Sequence, residues 1–318
     1  KRSMKKTPQP LNATVCQPIG SLEFLARQVV EGFLTGRHRS PFHGFSVEFA
    51  EHRHYRTGES TRFIDWKLLA RTDKLFVKRY EEETNLRCHL AVDSSSSMQF
   101  RGQNKEAWSK LEFAAAAAAS ITEIMRRQRD ASGLSFFDSH VSSYAPAKVS
   151  QSHQHNLIRQ LEDKIFQPSL NLKTSLCPVL HEMAERLPSR SLLMVFSDFL
   201  EPDLELNEQI RHFDQALGHL KFKGHEVVFF RILHESEEVN LNLGSQPVQL
   251  VDLETGQKIK TQADLIQGEF KNAVHGFYQG MELTARKYKM DWVNASVEQG
   301  LQLVLSTYLR KRAQLARY

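Results

Sequence analysis

"LRCHLAVDSSSSMQF" (residues 86–100) is the stretch whose reading decides the fold. Leu86, Cys88, Leu90 and Val92 alternate through its first half, which is the period of a β-strand, and the run stops at Asp93. Four serines follow. Asp93, Ser95 and Ser97 are spaced two apart, so in extended chain they point the same way. A flexible serine linker, or an aspartate that merely caps a turn, would give the same letters. The sequence on either side separates these readings.

Downstream, strand-like and helix-like segments alternate. "KEAWSKLEFAAAAAASITEIMRRQR" is a strong helix whose run Ala114–Ala119 leaves a smooth surface for close packing on a sheet. "SGLSFFD" is a strand, and "QHNLIRQLEDKIF" and "TSLCPVLHEMAERL" are amphipathic helices. "RSLLMVFSDF" is a continuous apolar strand, as expected where both faces are covered. A helix, the strand "HEVVFFRIL", a hairpin around Thr255-Gly256, a helix over roughly 262–288, the strand "DWVNAS" and a last helix complete the chain. This order predicts an α/β fold: a doubly wound, mostly parallel sheet with right-handed crossovers. Ligands of such sheets sit at the carboxyl ends of the strands. Asp93 lies at one such end, Asp198 follows the strand of "MVFSDF" at another, and Thr174 lies in the loop entering a helix. Asp93, Ser95, Ser97, Thr174 and Asp198 are all hard oxygen donors. Such a set, with few carboxylates and no His or Cys, suits Mg²⁺, with Mn²⁺ as the close substitute.

The chain has 318 residues, enough for one large α/β domain and a smaller one. Hydrophobic content of 41% and charged content of 25% are ordinary for a soluble globular protein. A net charge of +5 permits an acidic partner without demanding one. Cys16, Cys88 and Cys177 form no CxxC pair, which predicts reduced thiols in a cytoplasmic protein. Apolar runs have strand length, so no membrane span is expected. The opening residues 1–18 read as a loose arm, and 19–36 as a helix ending near Gly36. Residues 37–85 form a charge-dense, β-rich block with "FSVEFA" and "LFVKRYEEE" as strands and "RFIDWKLLA" as a short helix or turn. The predicted division is 1–36 arm and helix, 37–85 charged subdomain, and 86–318 α/β domain.

The constellation Asp93-x-Ser95-x-Ser97, with Thr174 and Asp198 on later loops, resembles the metal-ion-dependent adhesion site of von Willebrand factor A domains. That resemblance implies serine and threonine hydroxyls on the cation, aspartates acting directly or through water, and a sixth position open to an acidic residue of a partner. The upstream block sharpens it. Gly44, Glu48, Arg53, Tyr55, Gly58, Arg62, Ile64, Asp65, Trp66, Lys67, Ala70, Arg71, Thr72, Val77, Lys78 and Glu83, with "LVDLETG" downstream, resemble the bacterial family called domain of unknown function 58. Glu59 stands where that family has aspartate, with the charge kept. The paired membrane helices of many members do not precede the block here, which favours a soluble protein. Members are commonly encoded beside MoxR-type AAA+ ATPases. The resemblance therefore implies an adaptor in a chaperone-like system, a partner rather than a reaction.

Two other readings compete. A Mg²⁺-dependent hydrolase or phosphoryl-transfer enzyme would need phosphate-cradling and nucleophile–base groups. The sequence contains no G-x-x-x-x-G-K-[ST] loop and no G-x-S-x-G elbow. Nucleic-acid binding would use Arg37, Arg39, Arg53, Tyr55, Arg56, Trp66, Arg71, Lys78 and Arg79, but Glu48, Glu51, Glu59, Asp65 and Asp73 interleave with them. Trp66 is expected as a core anchor of the block. The pairs His52/His54 and His153/His155 would share a face on a strand, yet no further ligand supports zinc there.

Overall fold

The computed structural model describes residues 22–34, 52–55, 66–78, 86–104, 106–167, 172–201 and 203–315. By its internal contacts the chain divides into two compact units, Phe42–Leu86 and the remainder. In the smaller, β1 (His52–His54) pairs antiparallel with β2 (Phe76–Lys78), and α2 (Trp66–Thr72) lies between them in the chain. Tyr55 N donates to Leu75 O, extending that pairing by a rung. Trp66, expected inside, is 61% exposed. It opens a seven-residue helix, and an aromatic residue in a charged run does not say which side of so short a helix faces inward. The arm at 1–18, "FSVEFA", the acidic run 81–83 and Arg37, Arg39, Arg56 and Arg79 lie outside the described residues.

The larger unit is built on a six-stranded sheet of β3 (Arg87–Asp93), β4 (Ala131–Phe137), β5 (Val141–Lys148), β6 (Leu192–Ser197), β7 (Glu226–Leu233) and β10 (Asp291–Ser296). The order is β10-β7-β6-β3-β4-β5, every pairing parallel except β4 with β5. The fold is α/β with a mostly parallel central sheet. The antiparallel edge follows from the short turn at Asp138–His140, too brief for a crossover. Two register shifts interrupt the β4–β5 ladder. The chain first winds from β3 outward to β4, then returns to place β6 on the other side of β3. The switch point of the sheet is therefore the gap between the carboxyl ends of β3 and β6.

Helices cover both faces. On one side α3 (Lys110–Gln128) packs with α1 (Leu22–Leu34), α4 (Gln151–Phe166) and α8 (Leu301–Leu315). On the other, α5 (Leu176–Arg186), α6 (Leu206–Phe222) and α7 (Ala263–Lys287) pack in sequence. A hairpin of β8 (Pro247–Val251) and β9 (Lys258–Gln262) stands between β7 and α7. β3 is central, so its polar-side residues His89, Ala91 and Asp93 are as buried as its apolar ones. The alternation read in the sequence therefore marks no exposed face. α3 begins at a capping box, in which Ser109 Oγ accepts from Glu112 N and Glu112 accepts from Ser109 N. Its Ala114–Ala119 run is buried throughout, with the sheet on one side and α1 on the other. α1 buries Leu22, Ala26, Val29 and Val30 and belongs to the same unit as the sheet.

Phe199, Phe213, Phe229 and Trp292 form an aromatic cluster in the core shared with α6 and α7. Cys88 and Cys177 are free and buried. His153 and His155 lie on α4, not on a strand, and two residues apart on a helix they face different ways. His153 Nε2 meets Ser132 O at 3.2 Å, and His155 meets Glu23 at 3.1 Å. Among the described residues no helix is long and apolar enough to cross a membrane.

Candidate metal centre

The four serines after β3 divide by alternation. Ser94 Oγ donates to Phe137 O at the end of β4, and Ser96 Oγ accepts from Leu172 N while Ser96 N donates to Leu172 O. These two fasten the turn Ser96–Gln99 to β4 and to the segment carrying Thr174. Ser95 and Ser97 face the other way, their hydroxyls 3.1 Å apart. Extended chain through Ser95 followed by one 3-10 turn produces this split.

Asp93 is fully buried at the tip of β3. Its Oδ1 accepts from Ser95 N at 2.9 Å, and its Oδ2 accepts from Ser197 Oγ at 2.6 Å. Thr174 Oγ1 stands 3.5 Å from the same Oδ2. Asp198, the residue after β6, lies beside the Ser197 that holds Asp93, and its charge acts on the Asp93 carboxyl. The five residues named from the sequence thus come together at the switch point, contributed by three separate loops.

Three groups at this place were not read from the sequence. Lys110, at the first position of α3, is 2% exposed and bridges Asp198 Oδ2 (2.8 Å) and Glu238 Oε1 (2.6 Å). Ser197 holds Asp93 directly, although it is the neighbour of a residue that was named. Glu254, from the turn of the β8–β9 hairpin, accepts from Thr174 N at 2.8 Å and from Thr174 Oγ1 at 2.9 Å. The sequence signals were faint: a lysine in a helical first turn, a serine beside an aspartate, and an acid among turn residues where solvation is the ordinary outcome.

The electrostatics are uneven. Burial pushes the Asp93 carboxyl up to about 7, and the charge of Asp198 adds to the effect. Burial likewise raises Glu254. Burial opposes ionisation of Asp198 too, but Lys110 and Ser97 hold it below the usual carboxylate range. Lys110 keeps its proton against burial because Asp198 and Glu238 flank it. The lysine is thereby committed, while the donors to Asp93 and Glu254 are hydroxyls and amides. Two buried carboxylates facing neutral hydroxyl oxygens form a place that a hard cation fits.

The backbone after β6 is bent to serve this geometry. Phe199 adopts φ of 61°, unusual for a bulky residue, which sends its ring into the aromatic cluster while Asp198 faces the switch point. Phe199 N donates to Ser197 Oγ, and Tyr278 Oη of α7 donates to Asp198 O. Arg231 of β7 stacks 3.2 Å from the centre of the Tyr278 ring.

A family model described as "Protein of unknown function DUF58" matches residues 51–276. The chain belongs to this family. The matched span contains Asp93, Ser95, Ser97, Thr174, Asp198, Lys110 and Glu254. Curated relatives of this DUF58 chain include the uncharacterized proteins Mb1516 of Mycobacterium bovis and Rv1480 of Mycobacterium tuberculosis. Each is 28% identical over 182 residues, which cover 57% of this chain and 56% of the relative. The chain thus matches little more than half the length of those relatives. Among solved structures it is similar to the conserved hypothetical protein BatB from Bacteroides thetaiotaomicron, at 14% identity and a TM-score of 0.43 over 72% of this chain and 100% of that one. An aerotolerance-related membrane protein from Bacteroides fragilis gives 14% identity and a TM-score of 0.43 over 72% and 99%.

Proposed function

We propose that this DUF58 chain is a cation-dependent protein-interaction module of the von Willebrand factor A type, serving as an adaptor for a MoxR-type AAA+ ATPase. The observation that carries the metal-binding part is the meeting of Asp93, Ser95, Ser97 and Thr174 at the sheet's switch point, with Asp198 beside them. Asp93 and the hydroxyls of Ser95, Ser97 and Thr174 would hold Mg²⁺ or Mn²⁺, and Asp198 would act from the next layer because Lys110 engages it. A bound cation supplies a positive centre for an acidic side chain of the partner. The chain's own part is to keep the donors in place: Ser197 and Ser95 N fix both oxygens of Asp93, and Ser96 locks the serine turn to the Thr174 segment. The MoxR partner rests on what the sequence resemblance implies, not on the geometry. A cytoplasmic location belongs to the same proposal and is supported by the free, buried Cys88 and Cys177. The reading is one of binding without turnover.

The test is calorimetric titration of Mg²⁺ and Mn²⁺ into the metal-stripped protein, alone and with a MoxR-type AAA+ ATPase. Binding that Asp93→Ala and Ser95→Ala both abolish, and that tightens with the ATPase, is expected. Absence of binding under both conditions would sink the proposal, and release of phosphate from a substrate ester would favour the hydrolytic alternative.

A further inference from the structure

The β8–β9 hairpin inverts the usual placement of its side chains. Leu253 is 43% exposed, while the next residue, Glu254, is 8% exposed. Burying an acid beside an exposed leucine costs free energy twice, so the turn is shaped for something other than packing. It is also firmly made. Asp252 accepts from Glu254 N at 2.8 Å and bonds Thr255 Oγ1, Asp252 N and Gly256 N close the loop, and Gly256 takes the positive φ of 72° that the turn requires. The hairpin strands are otherwise largely exposed. Its one buried acid is delivered onto Thr174, one of the oxygen donors of the candidate metal centre, which donates to it through both N and Oγ1.

Asp93, Ser95, Ser97 and Thr174 leave part of an octahedral shell open. Glu254 stands beside them, both of its carboxylate oxygens engaged by Thr174. We propose that Glu254 is an intramolecular ligand of the cation, so that the arrangement seen is self-closed and an acidic partner side chain binds by displacing the hairpin turn. This rests on the metal-binding reading above and deepens it. The partner chemistry that fits is a flexible acidic segment, able to exchange one carboxylate for another at the same position. The hairpin is then the element that moves on partner binding, and Glu254 is the internal competitor that sets how strong an acid-bearing segment must be.

The experiment uses the full chain, Mn²⁺ alone as the probe, and water-proton relaxation to count waters on the bound ion. Glu254→Gln is expected to bind Mn²⁺ roughly tenfold more weakly, because a charged ligand becomes a neutral one. Glu254→Ala is the second variant, in which the bound ion should carry an additional inner-shell water, and added acetate should restore affinity and expel that water, with no such effect on the wild type. Unchanged affinity in Glu254→Gln, and unchanged hydration with no acetate rescue in Glu254→Ala, would overturn the proposal if Asp93→Ala still abolishes binding. If Mn²⁺ binds no better to the wild type than to Asp93→Ala, the metal-binding reading itself fails, and this proposal with it.

Discussion

His89 lies four residues before Asp93 in β3, and its chemistry is opposite. It is 1% exposed, its Nε2 meets Ser135 Oγ at 2.6 Å, and its ring stacks on Tyr144. Burial pulls its pKa down to about 3, and the charge of Arg186 adds to this. In the unfolded chain the same group takes up a proton near 6.5. Below that value the unfolded state binds more protons, so stability present above pH 6.5 is lost progressively as pH falls toward 3. The His89 part of stability should therefore fall between pH 7 and pH 5 against an opposing gain from Asp93, whose raised pKa favours the folded state as pH falls, so it is read as the difference in urea midpoint between the wild type and His89→Gln, which keeps a polar group beside Ser135. An equal slope in both proteins would assign the acid sensitivity elsewhere. At this scale the sequence was partly legible. Asp93, Ser95 and Ser97 announce themselves because alternation in an extended chain is a local property. Lys110, Ser197 and Glu254 depend on which elements meet, and no spacing within one element encodes that.

The contact between β3, β4 and β5 shows how a single residue fixes an element pair. A Cβ on Gly133 would stand 2.6 Å from His89 Nδ1 and 2.8 Å from both Ala145 O and Ala147 N. Two of these are backbone atoms of β5, which cannot turn aside as a side chain can. Gly133→Ala should destabilise the protein by about 1–3 kcal/mol through overpacking, read as a lowered midpoint of chemical unfolding. An unchanged midpoint would mean that the β4–β5 register is free to slide. Strands and helices from residue 86 onward were legible as elements because their apolar periods differ. The antiparallel turn into β5 was not, since "VSSYAP" carries no pattern that sets direction. The depth of α3 was half legible: the alanines foretold close packing on the sheet, but not that α1 would cover the opposite side.

For the whole molecule, a cation that binds only the folded chain adds its binding free energy to stability. At Mg²⁺ a hundredfold above its dissociation constant the gain should be about 2.7 kcal/mol. Thermal or urea unfolding with and without Mg²⁺ measures it, and Asp93→Ala should erase the difference; a gain that survives Asp93→Ala would place the cation elsewhere. The mostly parallel architecture was legible from element order alone, because alternation of strand and helix admits few topologies. The block at 37–85 was legible as a family signature, not as a fold, because its mixed charges and short elements lack a period.

Pro146 has a consequence for how this molecule meets others. Ala145 O and Ala147 N face β4, as their approach to Gly133 requires, so the nitrogen of Pro146 between them is turned to the outer margin of β5. That nitrogen has no hydrogen to give. The margin therefore presents a broken row of donors on a strand whose ladder already shifts register twice. Such an edge resists the zippering of a foreign peptide and the edge-to-edge stacking that seeds fibres. At this border, recognition is steered away from main-chain pairing and toward the loops, where side chains can choose their partner.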